Sequence, residues 1–295
     1  MGDDATEFLY SAEKSKNPFF MYIAFNAPHD PRQSPREFVD RYPLDKIKVP
    51  ANFLPEYPYK DAMGCGKGLR DERLAPFPRT EHAVKVNRQE YYALITHMDA
   101  QIGRILDALD KSPAARNTYI FFTADHGMAV GQHGLIGKQN LFDHSVRVPL
   151  MVVGPGIAKG LKIDAPVYLQ DIMPTTIELA GLPKPDYVQF HSLLPMLRKE
   201  TRRSAYDAIY GAYLDLQRSV TMDGYKLILY PGIQKALLFD LRKDPLEMKN
   251  LADRPENLPR MKKLFARLQQ LQAEMGDELD LAARYSELNH PSQIN

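Results

Sequence analysis

Residues 118–140 read TYIFFTADHGMAVGQHGLIGKQN. Thr118 to Ala124 is an apolar, β-rich run of strand length. It runs straight into Asp125, His126 and Gly127, then through a glycine-rich loop with His133 to Lys138. Ligands of open α/β sheets sit beyond the carboxyl ends of the strands. A carboxylate and an imidazole fixed at such an end can supply two ligands to a divalent cation, so Asp125 and His126 are candidate metal ligands. The competing reading is a plain turn, because Asp at a strand end hydrogen-bonds its own backbone. With a cation nearby, Lys138 makes an anion site of the kind used in phosphoryl or sulfuryl transfer. In isolation it reads as a solvated lysine. His133, between Gln132 and Gly134, is at most a substrate-lining residue.

Outward from this stretch, Pro18 to Phe25 (PFFMYIAF) is a nearly continuous apolar run, expected as a strand covered on both faces. It ends in NAPHDP, residues 26–31, which puts His29 at a second strand end. A histidine there can protonate a leaving alkoxide, or it can be a loop residue satisfied by backbone. Val148 to Val153 is expected as a third buried strand, closed by Gly154-Pro155-Gly156. Asn87 to Asp110 is the clearest helix, with Tyr91, Ile95, Met98, Ile102, Ile105 and Leu109 on one face. Asn87 is its expected N-cap, with Glu90 completing a capping box. Leu169 to Ala180 is a second helix, closed by Gly181, with Pro174 implying a kink or a late start. Strands interleaved with helices predict the α/β class.

The texture changes near residue 190. Ser219 to Met222, Asp223-Gly224 and Tyr225 to Tyr230 make a hairpin signature with a DG turn. Ala236 to Leu241 is a further strand, and Leu258 to Met275 is an amphipathic helix. Two parts are therefore expected: an α/β portion over 1–190, and a small antiparallel sheet with a helix over 191–295. Residues 31–86 are proline-rich and irregular, and a loop of that length is usually functional. The tail from Asn289 is expected to be loose.

Hydrophobic residues make up 44% of the 295 and charged residues 25%, an ordinary globular balance. A net charge of +1 suggests neither a nucleic-acid patch nor a polybasic membrane face. No apolar run approaches a membrane span, and the polar N-terminus MGDDATEFLYSAEKSKN is no signal peptide. The single cysteine, Cys65, excludes an internal disulfide framework and a thiolate zinc cluster.

Five segments in order carry a resemblance: PFFMYIAFNAPHDP, YYALITHMDAQIGRILDALD, TADHGMAVGQHGLIGKQNLFDHSVRVPLMVVGPG, QDIMPTTIELAGLP and LLFDLRKDPLEMKNLAD. Together they resemble the sulfatase family of the alkaline-phosphatase superfamily, over nearly the whole chain. The resemblance implies a mixed, mostly parallel sheet flanked by helices. It implies a sulfuric ester hydrolase acting on a sulfate ester, commonly of a sulfated carbohydrate, and export to the periplasm or medium. Asp125 and His126 then match two metal ligands, for calcium first, with manganese, which an imidazole suits better than it suits calcium, or magnesium as alternatives. His29 and Lys138 match the pair that contacts the sulfate and its leaving oxygen.

The family's nucleophile is a formylglycine made within a Cys/Ser-x-Pro/Ala/Ser-x-Arg motif. Cys65 is followed by Gly66-Lys67-Gly68-Leu69 and does not fit it. Asp3-Asp4 are not preceded by a strand and do not match the family's paired metal-binding aspartates. The chain thus resembles the latter part of a sulfatase, expected to be inactive alone. The alternatives are a phosphonate or phosphate ester hydrolase of the same superfamily, a non-catalytic module that binds sulfated glycans, and a structural α/β fragment with no function alone.

Overall fold

The computed structural model describes residues 1–15 and 17–289, so the tail from 290 lies outside the described residues. The helices are α1 (Gly2–Ala12), α2 (Arg36–Val39), α3 (Glu81–Asp110), α4 (Asp143–Val146), α5 (Ile172–Leu179), α6 (Leu194–Leu197), α7 (Leu258–Met275) and α8 (Ser286–Asn289). The strands are β1 (Ile120–Thr123), β2 (Leu150–Val153), β3 (Ala208–Tyr213), β4 (Gln217–Met222), β5 (Tyr225–Tyr230) and β6 (Lys235–Asp240).

Helix α3 starts at Glu81, ahead of the expected Asn87, because Thr80 is the true N-cap: its hydroxyl accepts from Ala83 N–H at 3.1 Å. Asn87 sits inside the helix, buried, where its Nδ2 donates to Ala83 O at 2.9 Å and its Oδ1 accepts from Arg32. Its polar side chain serves a tertiary contact. Of the kink or late start that Pro174 left open, helix α5 takes the late start: Leu169–Asp171 form a 3-10 turn and α5 begins at Ile172.

Helices α1 and α3 pack through Ala5, Leu9, Ile105, Ala108 and Leu109. Phe19, Met21, Ile23 and Phe25 lie against that core, joined by Ile120 of β1. The expected burial of both faces of PFFMYIAF is not met. The run is extended, but Phe20 and Tyr22 are 75% and 83% exposed. It alternates inward and outward, the period-2 signature of a half-covered strand. It has no ladder partner among the described residues. Strand β2 behaves alike: Leu150 and Val152 pack inward while Met151 and Val153 are exposed. Strands β1 and β2 pair antiparallel, Ile120 opposite Val153. The ladders among the described residues are this pair and the C-terminal sheet, both antiparallel. A parallel ladder needs partners outside these strands.

The C-terminal sheet runs β3-β4-β5-β6, each pair antiparallel. Asp223 and Gly224 both take positive φ in the β4–β5 turn (53° and 73°), as the DG signature demands. The sheet is covered on both faces. Leu227, Leu229 and Leu238 meet Met261, Leu264, Phe265 and Leu268 of α7. Ile228, Tyr230, Leu237 and Phe239 face the other way, onto Tyr57, Met63, Cys65, Leu135 and Phe142. Residues 31–86 are therefore no open flap, since Tyr57, Met63 and Cys65 form part of a core shared with the sheet.

The segment DPLEMKN explains this docking. Lys226 points from β5 into the interior, where Nζ donates to Glu247 Oε1 at 2.7 Å, to Leu141 O at 3.1 Å and to Asp143. The other oxygen of Glu247 accepts from Asp143 N–H at 2.6 Å. Asn250 Oδ1 accepts from Leu238 and Ala252 N–H, fastening the turn to β6.

Candidate active site

Strand β1 ends at Thr123, and Asp125 and His126 follow. Gly127 is required here by close approach: a Cβ would lie 2.1 Å from His144 O, and its N–H donates to Ser145 O at 2.8 Å. The glycine-rich loop then doubles back. Ala129 N–H donates to Gly137 O at 2.9 Å and Gly131 N–H to Leu135 O at 2.8 Å, so the chain returns beside its own start. Glu72 clamps the returning arm. Its buried carboxylate accepts from Ile136 N–H at 3.0 Å and Gly137 N–H at 2.8 Å, and it pairs with buried Arg79. Arg79 donates in turn to Gly134 O at 3.1 Å. Burial pushes the Glu72 carboxyl upward, and these bonds oppose it.

This clamp delivers Lys138 to His29. Lys138 Nζ lies 3.0 Å from His29 Nε2 and 3.0 Å from Asp71 Oδ2. The other ring nitrogen, Nδ1, lies 2.8 Å from Asp30 O. A carbonyl only accepts and an ammonium only donates, so the bonding pattern assigns the proton to Nδ1 and the lone pair to Nε2. Arg70 closes the group. Its Nη2 is 2.7 Å from Asp71 Oδ1, 3.3 Å from Asp30 and 3.5 Å from His29 Nε2. Asp71 is buried and also accepts from Gln139 Nε2 at 2.9 Å. Burial alone raises its carboxyl, but the bonds from Gln139, Arg70 and Lys138 outweigh that and hold it well below the usual carboxylate range. The contact with Asp71 pushes the Arg70 guanidinium upward.

Asp125 and His126 form a second, smaller group. Asp125 Oδ1 accepts from His126 N–H at 3.0 Å, leaving Oδ2 at 3.4 Å from His126 Nε2. His126 Nδ1 is 2.9 Å from Gly127 O, so it donates there and leaves the Nε2 lone pair outward. A carboxylate oxygen and an imidazole lone pair at this separation suit one shared cation. Two donors are half of a usual site, and no group of three or more His, Cys, Asp or Glu positioned for a metal occurs among the described residues.

The structure brings His29 and Lys138 together and leaves Asp125 and His126 adjacent at the end of β1. It does not bring His133 to them. His133 is buried, stacks on Phe142 with ring centroids 4.0 Å apart, and meets Asn52 Nδ2 at 3.2 Å. Burial lowers its pKa to about 4, so it packs as a neutral ring. Arg70, Asp71 and Gln139 escape sequence reading, since no spacing marks them. Their one signal is membership of, or contact with, the long loop expected to be functional. Cys65 is fully buried, donates to Gln139 O at 3.1 Å, and has its thiol pushed up by burial. It is no nucleophile. One stretch with the formylglycine spacing does occur, Ser112-Pro113-Ala114-Ala115-Arg116. There Ser112 caps a 3-10 turn ahead of β1, accepting from Ala114 N–H at 3.2 Å, at the opposite end of the strand from Asp125.

The sulfatase family profile matches residues 1–182, and the profile described as N-sulphoglucosamine sulphohydrolase, C-terminal, matches 131–274. A sulfatase of Formosa agariphila is 35% identical over 245 residues, covering 81% of this chain and 47% of its own length. A choline-sulfatase of Rhizobium meliloti is 32% identical over 82% of this chain and 48% of its own. The chain thus spans about half the length of the curated relatives it matches. A solved complex of BT4656 with its substrate D-glucosamine-2-N,6-O-disulfate has a TM-score of 0.79 at 22% identity, over 94% of this chain and 70% of that one. Phosphonate monoester hydrolase of Agrobacterium radiobacter has a TM-score of 0.77 at 24% identity, over 92% of this chain and 60% of its own. At these identities the likeness is one of fold. With a family profile matching more than half of its residues, the chain belongs to the sulfatase family and has the α/β fold of that family.

Proposed function

We propose that this chain forms the substrate-anion part of a sulfuric ester hydrolase that acts on a sulfated saccharide. The carrying observation is the 3.0 Å approach of Lys138 Nζ to His29 Nε2, set against buried Asp71. Lys138 supplies a fixed positive charge to the non-bridging oxygens of the ester. Asp71 holds that ammonium in place. His29, its ring oriented by Nδ1–H on Asp30 O, acts in its protonated form, giving the Nε2 proton to the leaving oxygen as the S–O bond breaks. Asp125 and His126 would hold a divalent cation, calcium first and manganese or magnesium as alternatives. Such a cation would supply Lewis-acid charge neutralisation of a bound ester. The formylglycine expected of the family finds no suitable residue at Cys65, so turnover needs a nucleophile from outside the groups described.

A chimera tests this reading. The first half of the Formosa agariphila sulfatase is joined to this chain and assayed with matched sulfate and phosphonate esters. Metal-dependent hydrolysis of the sulfate ester, abolished by K138A, is the expected result. Preferential hydrolysis of the phosphonate ester would transfer the site to the second reading, which the fold likeness to phosphonate monoester hydrolase supports. Saccharide binding without turnover in the chimera would favour a glycan-binding module.

A further inference from the structure

We infer that Arg70 reads a second negative charge on the leaving group, so that the substrate is a saccharide whose scissile sulfate ester has another sulfate or a carboxylate beside it. This rests on the sulfate-ester reading of the His29–Lys138 pair. Three nitrogen-bearing side chains meet here at graded depth: Lys138 is 17% exposed, His29 33% and Arg70 64%. An ester bound with its sulfuryl oxygens on Lys138 and its bridging oxygen at His29 projects its sugar outward, past Arg70. The guanidinium is already immobilised. Nε and Nη2 both reach Asp71 Oδ1, at 3.0 and 2.7 Å, and Nη2 also reaches Asp30. Its Nη1 has no hydrogen-bond partner among the described residues.

A purely structural role explains this poorly. Asp71 already has Lys138 and Gln139 as partners, whereas Arg70 keeps most of its own side chain at the surface. A guanidinium held at the rim by Asp71 and Asp30 with Nη1 left over, by contrast, suits a charge-assisted hydrogen bond to a carboxylate or sulfate. The same charge disfavours a cationic leaving group such as choline.

Isothermal titration calorimetry of the full chain tests the assignment, with D-glucosamine-2-N,6-O-disulfate, D-glucosamine 6-O-sulfate and choline sulfate as probes. The wild-type chain is expected to prefer the disulfate by about tenfold or more, the usual size of one charge-assisted hydrogen bond, and to bind choline sulfate most weakly. R70A brings the two sugar affinities to near equality. R70K keeps the charge without the outward Nη1 and falls between. If R70A does not fold, R70Q retains the bond to Asp71 without the charge and must show the same loss of preference. Equal wild-type affinities for the two sugars, or a preference that survives R70A or R70Q, overturn the role of Arg70 alone. If no sulfated sugar binds, the sulfate-site reading itself falls and Arg70 falls with it.

Discussion

Lys138 Nζ and His29 Nε2 meet at 3.0 Å across 109 residues of sequence. Neither residue makes that contact by local preference. Lys138 is carried there by a doubled-back loop pinned on Glu72, and His29 is turned by Asp30 O. Between them Asp71 supplies the negative charge that lets two cations, Lys138 and Arg70, share one small volume.

Removing either partner should weaken anion binding. K138A and H29A are each expected to raise the Kd of the chain for glucosamine 6-O-sulfate by roughly 10- to 100-fold, as for loss of one charge-assisted hydrogen bond. Calorimetry checks it, and unchanged affinity in K138A would falsify the site.

Asp71 is ionised in the folded chain to lower pH than its unfolded value of 3.8. Its stabilisation is therefore fully present at neutral pH and is lost as pH falls below 3.8 toward the depressed folded value. D71N should destabilise by about 1.5–3 kcal/mol at neutral pH. The gap between wild type and variant should narrow in acid, as read by urea unfolding. A gap independent of pH would contradict the ion-pair origin.

The buried triad of Lys226, Glu247 and Asp143 ties the C-terminal sheet to the loop after Lys138. K226M leaves two carboxylates facing each other in the interior and should cost about 3–5 kcal/mol. A double variant, K226M with E247L, should recover part of that loss in the same unfolding assay. No recovery would mean that Lys226 acts mainly through its packing.

Burial lowers the pKa of His133 to about 4 in the folded chain, against 6.5 unfolded. The unfolded chain thus takes up a proton first as pH falls. Stability should decline between 6.5 and about 4, at up to about 1.4 kcal/mol per pH unit. H133F keeps the ring stacked on Phe142 and should reduce that slope, the remainder coming from buried His144, while leaving sulfate affinity near wild type. A strong drop in affinity would return His133 to the binding site.

Cys65 should be dispensable for chemistry. The chain alone is expected to show no turnover of 4-nitrophenyl sulfate, with or without added calcium or manganese, and C65S should bind sulfated sugar as the wild type does. Robust turnover abolished by C65S would show that the buried thiol becomes accessible and reactive.

By itself the sequence determined the local elements whose physics is local. These are the DG hairpin of Asp223-Gly224, the amphipathic helix Leu258–Met275, and the strand that runs into Asp125-His126. It also supplied His29 and Lys138, through motif order more than spacing. Only the tertiary structure decided three other things. It made Asn87 a buried contact inside a longer helix, where its Oδ1 accepts from Arg32, far off along the chain. It placed His133 in the core, where stacking on Phe142 and the neutral ring offset the loss of water. It recruited Arg70 and Asp71 from a loop with no periodicity. Charge pairing acts through space, and a sequence shows only the distance along the chain.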